Sequence, residues 1–430
     1  MNKAQQRFTL IIIALIMAVF NLDTNVMAPT LSTIEAEFKI NDGSIGLMML
    51  LFTIIGAAVS LLWGYFSDKA SRKLLFTLAV VLGELPCALT ALAPNYPVFF
   101  GLRILSGIGL GAAFPLVFAI IGDTFDFKSR PMATGVISVA IALGNIGGYL
   151  LGGYLGASGN WRLPFVVAAA PNFLLILLFC VFCPETKKAA SEEATRELVD
   201  AGLVYPKTIR LSDYTGLFRN RTNLFLLFQG IAGTIPWGSF FYITKFLEEK
   251  GLSITDATNV FSFFGAGMVV GTIFGGQIGA AIFKKSPKRL PVFCAITTLA
   301  GALAVLYVVL LAPQDFIPLA AAGFIAAFFA AMTGPNMKTM LLDVNAPEER
   351  GAIFSIFNLT DSLGTGVGRG VAGLLSGLIG SLALPIVICT SFWGFCTVFL
   401  MVVSLFFVAD VQRLRDAMRK AAEEMKAAKA

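Results

Sequence analysis

Residues 64–73 read GYFSDKASRK, a short run of charge wedged between two long apolar segments. Residues 43–66 before it carry no charged side chain, and residues 74–93 after it carry only Glu84. Roughly 20 apolar residues are what a helix needs to cross the hydrocarbon core of a bilayer. The stretch is therefore a turn between two spanning helices, and Lys69, Arg72 and Lys73 mark the side on which it lies. Working outward, the same alternation of apolar run and polar turn gives twelve spans: about 8–31, 43–66, 73–93, 97–122, 130–157, 161–183, 222–247, 256–283, 290–312, 314–342, 350–380 and 383–409. The first run has no small-residue cleavage site after it and continues through Asp23 and Pro29, so it reads as a span and not as a signal peptide.

Composition agrees. The chain is 57% hydrophobic and 13% charged, against about 25% charged for a soluble domain. The fold class expected is an all-α membrane protein with twelve transmembrane helices in two pseudo-symmetric six-helix bundles. A polar linker divides them: residues 1–183 form the first bundle, 184–221 the linker, 222–410 the second bundle and 411–430 a surface tail helix. Basic residues concentrate in the termini, the linker and every second loop, which predicts cytoplasmic termini in the inner membrane. That bias also accounts for the net charge of +6 without nucleic acid as a partner.

There is no histidine, so proton coupling falls to carboxylates. The six cysteines all lie in apolar segments and read as packing residues, with no metal and no cofactor implied. No nucleophile is paired with a base, which argues against an enzyme.

An internal repeat appears at an offset of 220. Pro115, Asp123, Arg130, Gly144, Gly148 and Gly153 recur as Pro335, Asp343, Arg350, Gly364, Gly368 and Gly373. Two halves of one topology suit a site that opens alternately to each side, the architecture of a transporter.

Charge inside a span costs about 2.5–3.5 kcal/mol and is a functional candidate. Asp23 and Arg103 fall at matched depth, about 9–12 Å from one membrane boundary at 1.5 Å per residue. They are candidates for proton coupling, with a static pair as the alternative. Glu84, mid-helix near Pro86, reads equally as a structural carboxyl and as a proton site. Asp361 and Arg369 have Ile141 and Tyr149 as repeat partners, so their charge is not demanded by the fold and points to substrate. Gln229 and Trp237, in the bend-prone segment FQGIAGTIPWG, are further substrate-facing candidates, whereas Lys338, Lys245 and Glu248 read as helix-end or rim residues.

Gly64-Tyr-Phe-Ser-Asp68-Lys69-Ala-Ser71-Arg72-Lys73 resembles the signature loop of the major facilitator superfamily, departing at Ser71 where a glycine is usual. Arg103 in RILSGIGLGA is similar to the arginine motif of that family's fourth helix. The segments NDGSIGLM, LGELPCALT, GNWRLPFVVAAAPN, QGIAGTIPWG and NAPEERGAIFSIFN resemble bacterial relatives of the spinster lipid transporters. The chain has Thr24 and Leu110 where those relatives have an arginine and a glutamate, and Asn145 after Gly144 in the antiporter motif.

The resemblance implies a monomeric, proton-coupled secondary transporter of an amphiphilic, lipid-like substrate such as a lysophospholipid or sphingoid base, surrounded by membrane lipids. It also implies a cytoplasmic gate of Gly64, Asp68, Arg72, Asp123 and Arg130. An exporter of drugs or small metabolites, and a non-transporting sensor, stay open as alternatives.

Overall fold

A backbone immersed in hydrocarbon must satisfy its own N–H and C=O groups, and this chain does so with helices. The structure, a computed structural model, describes residues 3–67, 70–125, 130–185, 214–346 and 349–427, and no strand occurs among them. The helices are α1 (Lys3–Val26), α2 (Leu31–Phe38), α3 (Asp42–Ser67), α4 (Arg72–Thr90), α5 (Tyr96–Thr124), α6 (Arg130–Gly156) and α7 (Arg162–Phe182). After the linker come α8 (Tyr214–Leu217), α9 (Arg221–Ser239), α10 (Ile243–Glu249), α11 (Ile254–Lys285), α12 (Arg289–Leu310), α13 (Phe316–Ala331), α14 (Thr333–Val344), α15 (Arg350–Ile379) and α16 (Ala383–Ala427).

Among the described residues, 11 helices or continuous helix pairs are long and apolar enough to cross a membrane. The twelfth expected span, α15, forms at 30 residues, but Asn358, Thr360, Asp361, Ser362 and Arg369 make it too polar to meet the same standard. Helix starts follow local chemistry. Ser71 accepts from the Leu74 amide to cap α4, and Asn95 and Asn220 cap α5 and α9 in the same way. Helix α16 runs unbroken through the expected boundary near 410, since no Gly or Pro interrupts residues 395–427.

The contacts divide the chain into two compact units. Unit 1 takes Met1–Val204, Phe241–Ser262 and Arg369–Leu382. Its core packs Ile13, Met17 and Phe20 of α1 against Phe76 and Val80 of α4, Leu116 and Val117 of α5, and Ile176 and Phe179 of α7. The opposite face of α7 leaves Leu174, Leu177 and Val181 exposed, as a lipid-facing surface requires. Gly144 and Gly148 set α6 against the carbonyls of Ala18 and Leu22 of α1, where a Cβ has no room.

Unit 2 takes Tyr205–Phe240, Phe263–Gly368 and Ala383–Ala430. Its core joins Leu226 and Leu227 of α9 to Cys294, Met340, Phe357, Val403 and Phe407. Here the repeat partners Gly364 and Gly368 meet the carbonyls of Ile231 and Ile235 of α9. The same glycine-on-carbonyl contact is thus built twice, which is the structural meaning of the 220-residue repeat. A 3₁₀ turn, Ala28–Thr30, joins α1 to α2, and another, Phe240–Tyr242, joins α9 to α10.

Candidate functional site

Four helices of unit 1 converge on one buried polar cluster. Arg103 of α5 is fully buried, and its Nη1 lies 3.3 Å from Oδ1 of Asp23 on α1. Cys87 of α4 donates its thiol to the same Asp23 oxygen and receives Arg103 Nη1 at 3.7 Å. One turn earlier on α4, Glu84 accepts from Nδ2 of Asn172 on α7, which also donates to the Ile16 carbonyl at 3.3 Å. Ligand atoms of Asp23, Glu84 and Cys87 all lie within 4.8 Å of one another. The rings of Phe52 and Phe165 flank the guanidinium at 5.5 and 5.4 Å, so water is largely replaced by aromatic faces. The Arg103 Nε and Nη2, Glu84 Oε2 and Asn172 Oδ1 are buried without a hydrogen-bond partner among the described residues. The cluster therefore pairs two carboxyls with one cation. The matched depth of Asp23 and Arg103 is legible in the sequence; Cys87 and Asn172, single polar groups in apolar helices, are not.

The second-half candidates are dispersed. Arg369 belongs to unit 1, where its Nη1 reaches Thr53 Oγ1 at 3.5 Å and its guanidinium lies 5.3 Å from the Phe241 ring. Asp361 sits eight residues earlier on the same helix, about 12 Å along its axis. In unit 2 its side chain packs close to Gly230 of α9 and feels the charge of Lys338. Gln229 is buried, with its side-chain oxygen unpartnered among the described residues. The half-buried Trp237 packs edge-on against Phe240, Phe264 and Trp393, with centroids 5.6–6.0 Å apart.

The end of unit 1 bearing α2 and α10 is held by charge. Lys245 of α10 reaches Glu35 of α2 and, at 2.7 Å, Asp42 in the first turn of α3. Ser376 of α15 donates to the other Asp42 oxygen at 2.7 Å, and Ser32 of α2 donates to Glu248 of α10 at 2.8 Å. Ser32 and Lys245 are 213 positions apart, as are Glu35 and Glu248. The two contacts are thus a pseudo-twofold pair, each α2 residue meeting the repeat partner of the other. Lys245 and Glu248 are not rim residues; Lys245 is only 12% exposed. The far side of α2 is anchored by Glu37, which accepts from Trp161 Nε1 and Arg162 Nη1 at 2.6 Å each.

The sequence profile of the Major Facilitator Superfamily matches residues 13–311 and 286–428. The chain belongs to the major facilitator superfamily. It is a multi-pass membrane protein of a family of secondary transporters. Within that superfamily it is 23% identical over 430 residues to the Danio rerio sphingosine-1-phosphate transporter SPNS2, covering 94% of this chain and 84% of the relative. It is 30% identical over 178 residues to multidrug resistance protein 1 of Bacillus subtilis, covering 41% and 45%. Its fold matches the crystal structure of a bacterial homolog of the human lysosomal transporter spinster, in an inward-facing and unoccupied conformation. The TM-score is 0.81 at 18% identity, over 95% of this chain and 99% of that one.

In the superfamily's signature loop, the departure at Ser71 has a local reason. Its backbone is extended and its hydroxyl caps α4, a task a glycine lacks the side chain to perform. Arg72 pairs with Asp123 of α5 and donates to the Ala119 carbonyl at 2.8 Å. Gly64 lies in the last turn of α3. Asp68 and the side chain of Arg130 lie outside the described residues. Asn145, after Gly144, accepts from Asn25 of α1 at 2.8 Å and so joins α6 to α1.

Proposed function

We propose that this chain is a proton-coupled secondary transporter of an amphiphilic, lipid-like substrate, working by alternating access between its two six-helix halves, 1–183 and 222–410. It acts as a monomer in the inner membrane, with both termini and the linker cytoplasmic. The observation that carries the coupling is the Asp23–Glu84–Arg103 cluster. Two carboxyls within 4.8 Å of each other and one guanidinium, all buried, are electroneutral only when the carboxyls share one proton. A second proton, taken up at Asp23, frees Arg103 from its ion pair and changes what holds α1 to α5. Loading and unloading of that proton is thereby tied to the packing of helices in the first half.

The similarity to the sphingosine-1-phosphate transporter over 94% of the chain supports the lipid-like substrate. On this reading the α2–α10 end is the outer gate, closed by Lys245 and Ser32. At the opposite end Arg72 and Asp123, with Gly64, Asp68 and Arg130, form the cytoplasmic gate. Asp361, Gln229 and Trp237 serve the substrate from the second half. Purified protein in proteoliposomes tests the coupling. A pH gradient drives uptake of a fluorescent lysophospholipid, and Asp23→Asn abolishes that drive while exchange at equal pH persists. Undiminished pH-driven uptake in Asp23→Asn refutes proton coupling through this cluster.

The 30% identity with multidrug resistance protein 1 over 178 residues favours a second reading, proton-coupled export of drugs or small metabolites. Competition of ethidium against the lysophospholipid, with no lysophospholipid flux, selects it.

A further inference from the structure

Several cations of unit 1 are drawn in from solvent, and most of them meet carboxylates, Arg72 with Asp123 among them. Arg103 has Asp23, and Lys245 has Glu35 and Asp42. Arg369 has none: among the described residues no carboxylate oxygen lies within 4.0 Å of it. Its one hydrogen-bond contact among the described residues, to Thr53, is long at 3.5 Å, and its Nε is buried there without a partner. Among the described residues, the formal charge that acts on it is that of Arg103, a second cation.

The Thr53 hydroxyl already donates to the Met49 carbonyl at 2.9 Å, so the hydroxyls near Arg369 that can donate to a ligand are those of tyrosines. Tyr149, the repeat partner of Arg369, and Tyr242 both lie within its electrostatic reach. Both are buried, and the Tyr242 hydroxyl has no hydrogen-bond partner among the described residues. The walls are aromatic: Phe241 lies beneath the guanidinium, and Phe261 packs tilted against Tyr149 with centroids 4.0 Å apart.

A partly buried guanidinium without a counter-charge is unfavourable until an anion joins it. A planar fork of N–H donors ringed by hydroxyls matches an oxyanion. We propose that Arg369, held in place by the Thr53 oxygen and flanked by Tyr149 and Tyr242, is an anion subsite that takes the phosphate or carboxylate headgroup of a single-chain amphiphile. The inference rests on the transporter reading and narrows its substrate to an anionic one.

Binding is measured on the full chain in detergent by competition against a fluorescent lysophospholipid. The probes are lysophosphatidic acid, oleate, chain-matched monoolein and inorganic phosphate. The parent protein is expected to bind the two anionic amphiphiles more tightly than monoolein. Arg369→Gln then weakens the anionic pair about 10- to 100-fold and leaves monoolein unchanged. Arg369→Lys keeps the charge and stays within about tenfold of the parent. Equal affinity of parent and Arg369→Gln for lysophosphatidic acid overturns the subsite. If inorganic phosphate competes as well as the amphiphiles, and only with Arg369 present, the site takes a free anion and the headgroup assignment falls. The transporter reading fails separately. Should lysophosphatidic acid bind through Arg369 and yet no substrate cross proteoliposomes, transport is refuted and the subsite stands. Should flux and affinity in Arg369→Gln match the parent, the subsite is refuted and transport stands.

Discussion

Arg103 and Arg369 lie in the same unit, each against phenylalanine rings, and the protein treats them in opposite ways. Arg103 is enclosed completely, with an aspartate and a thiol on one nitrogen and a second carboxyl nearby. Arg369 has a threonine hydroxyl at 3.5 Å and a ring. A cation neutralised inside the fold is part of the fold's own stability. One left uncompensated weakens the empty protein and strengthens the protein with an anion in place. The first arrangement suits a group that moves a proton within the protein, and the second suits a group that waits for a ligand. Lys245 is the third case, with two carboxylates on one ammonium, and its partners come from α2 and α3 while it stands on α10.

The largest effect is expected at the compensated arginine. Asp23→Asn leaves the buried Arg103 charge without its partner, and breaking such a pair costs about 3–5 kcal/mol. Denaturation in detergent reads this directly. The double variant Asp23→Asn with Arg103→Gln removes both charges and regains more than half of the loss, because the cost belongs to the orphaned ion and not to the missing carboxylate. A single variant as stable as the parent contradicts the compensation.

Lys245→Ala comes next. It leaves Glu35 and Asp42 facing each other without their cation, while Ser32–Glu248, Ser376–Asp42, Thr244 to the Ala28 carbonyl and the Leu382 amide to Glu249 still tie that end. The closed arrangement loses about 2 kcal/mol, the low end for truncating one member of a buried charge pair, roughly a thirtyfold shift toward the open form. Spin labels at the exposed Ala36 and Ser253 are expected to report a longer distance in the variant. An unchanged distance distribution means that packing holds the gate and the charges do not.

Lys245 also shows what the sequence conceals. The apolar runs are legible because a bilayer demands length, and the 220-residue repeat is legible because Gly144 and Gly364 each sit where no Cβ fits. The pairing of α2 with α10 follows an offset of 213, since α11 and α12 run to 32 and 22 residues where their counterparts α3 and α4 run to 26 and 19. A single offset therefore misses it, and a lysine near a helix end reads as a rim residue. Asp23 and Arg103 stand out as charges in hydrocarbon. Asn172 and Cys87 do not, because one amide or thiol scarcely alters an apolar run. Helix α15 is the opposite case: its polar residues lower its apolarity below that of its neighbours, yet the span expected at 350–380 forms as Arg350–Ile379.

Arg369→Gln reverses the sign of the effect seen at the first arginine. Removing an uncompensated, partly buried cation is expected to stabilise the empty protein by about 1 kcal/mol, a fraction of the cost of a fully buried one. The same substitution removes the extra stability that lysophosphatidic acid confers on the parent. Melting curves with and without that lipid measure both. If Arg369→Gln destabilises the empty protein as Asp23→Asn does, the guanidinium is a structural element and the contrast between the two arginines disappears.

The smallest change in stability is expected at Glu84, and it sharpens the contrast most. Glutamine has the shape of a protonated glutamate and keeps an oxygen to accept from Asn172. If the shared proton rests on Glu84 while Asp23 stays paired with Arg103, Glu84→Gln alters the cluster's charge not at all. Stability then stays within about 0.5 kcal/mol of the parent, the range of an uneventful substitution. The functional effect is large by comparison, because a glutamine cannot release the proton. Uptake driven by a pH gradient falls at least tenfold, and exchange of lysophospholipid at equal pH continues. A loss of stability as large as that of Asp23→Asn requires both carboxyls to be ionised beside a single guanidinium. The cluster then carries net negative charge, and the electroneutral proton-sharing account of coupling fails.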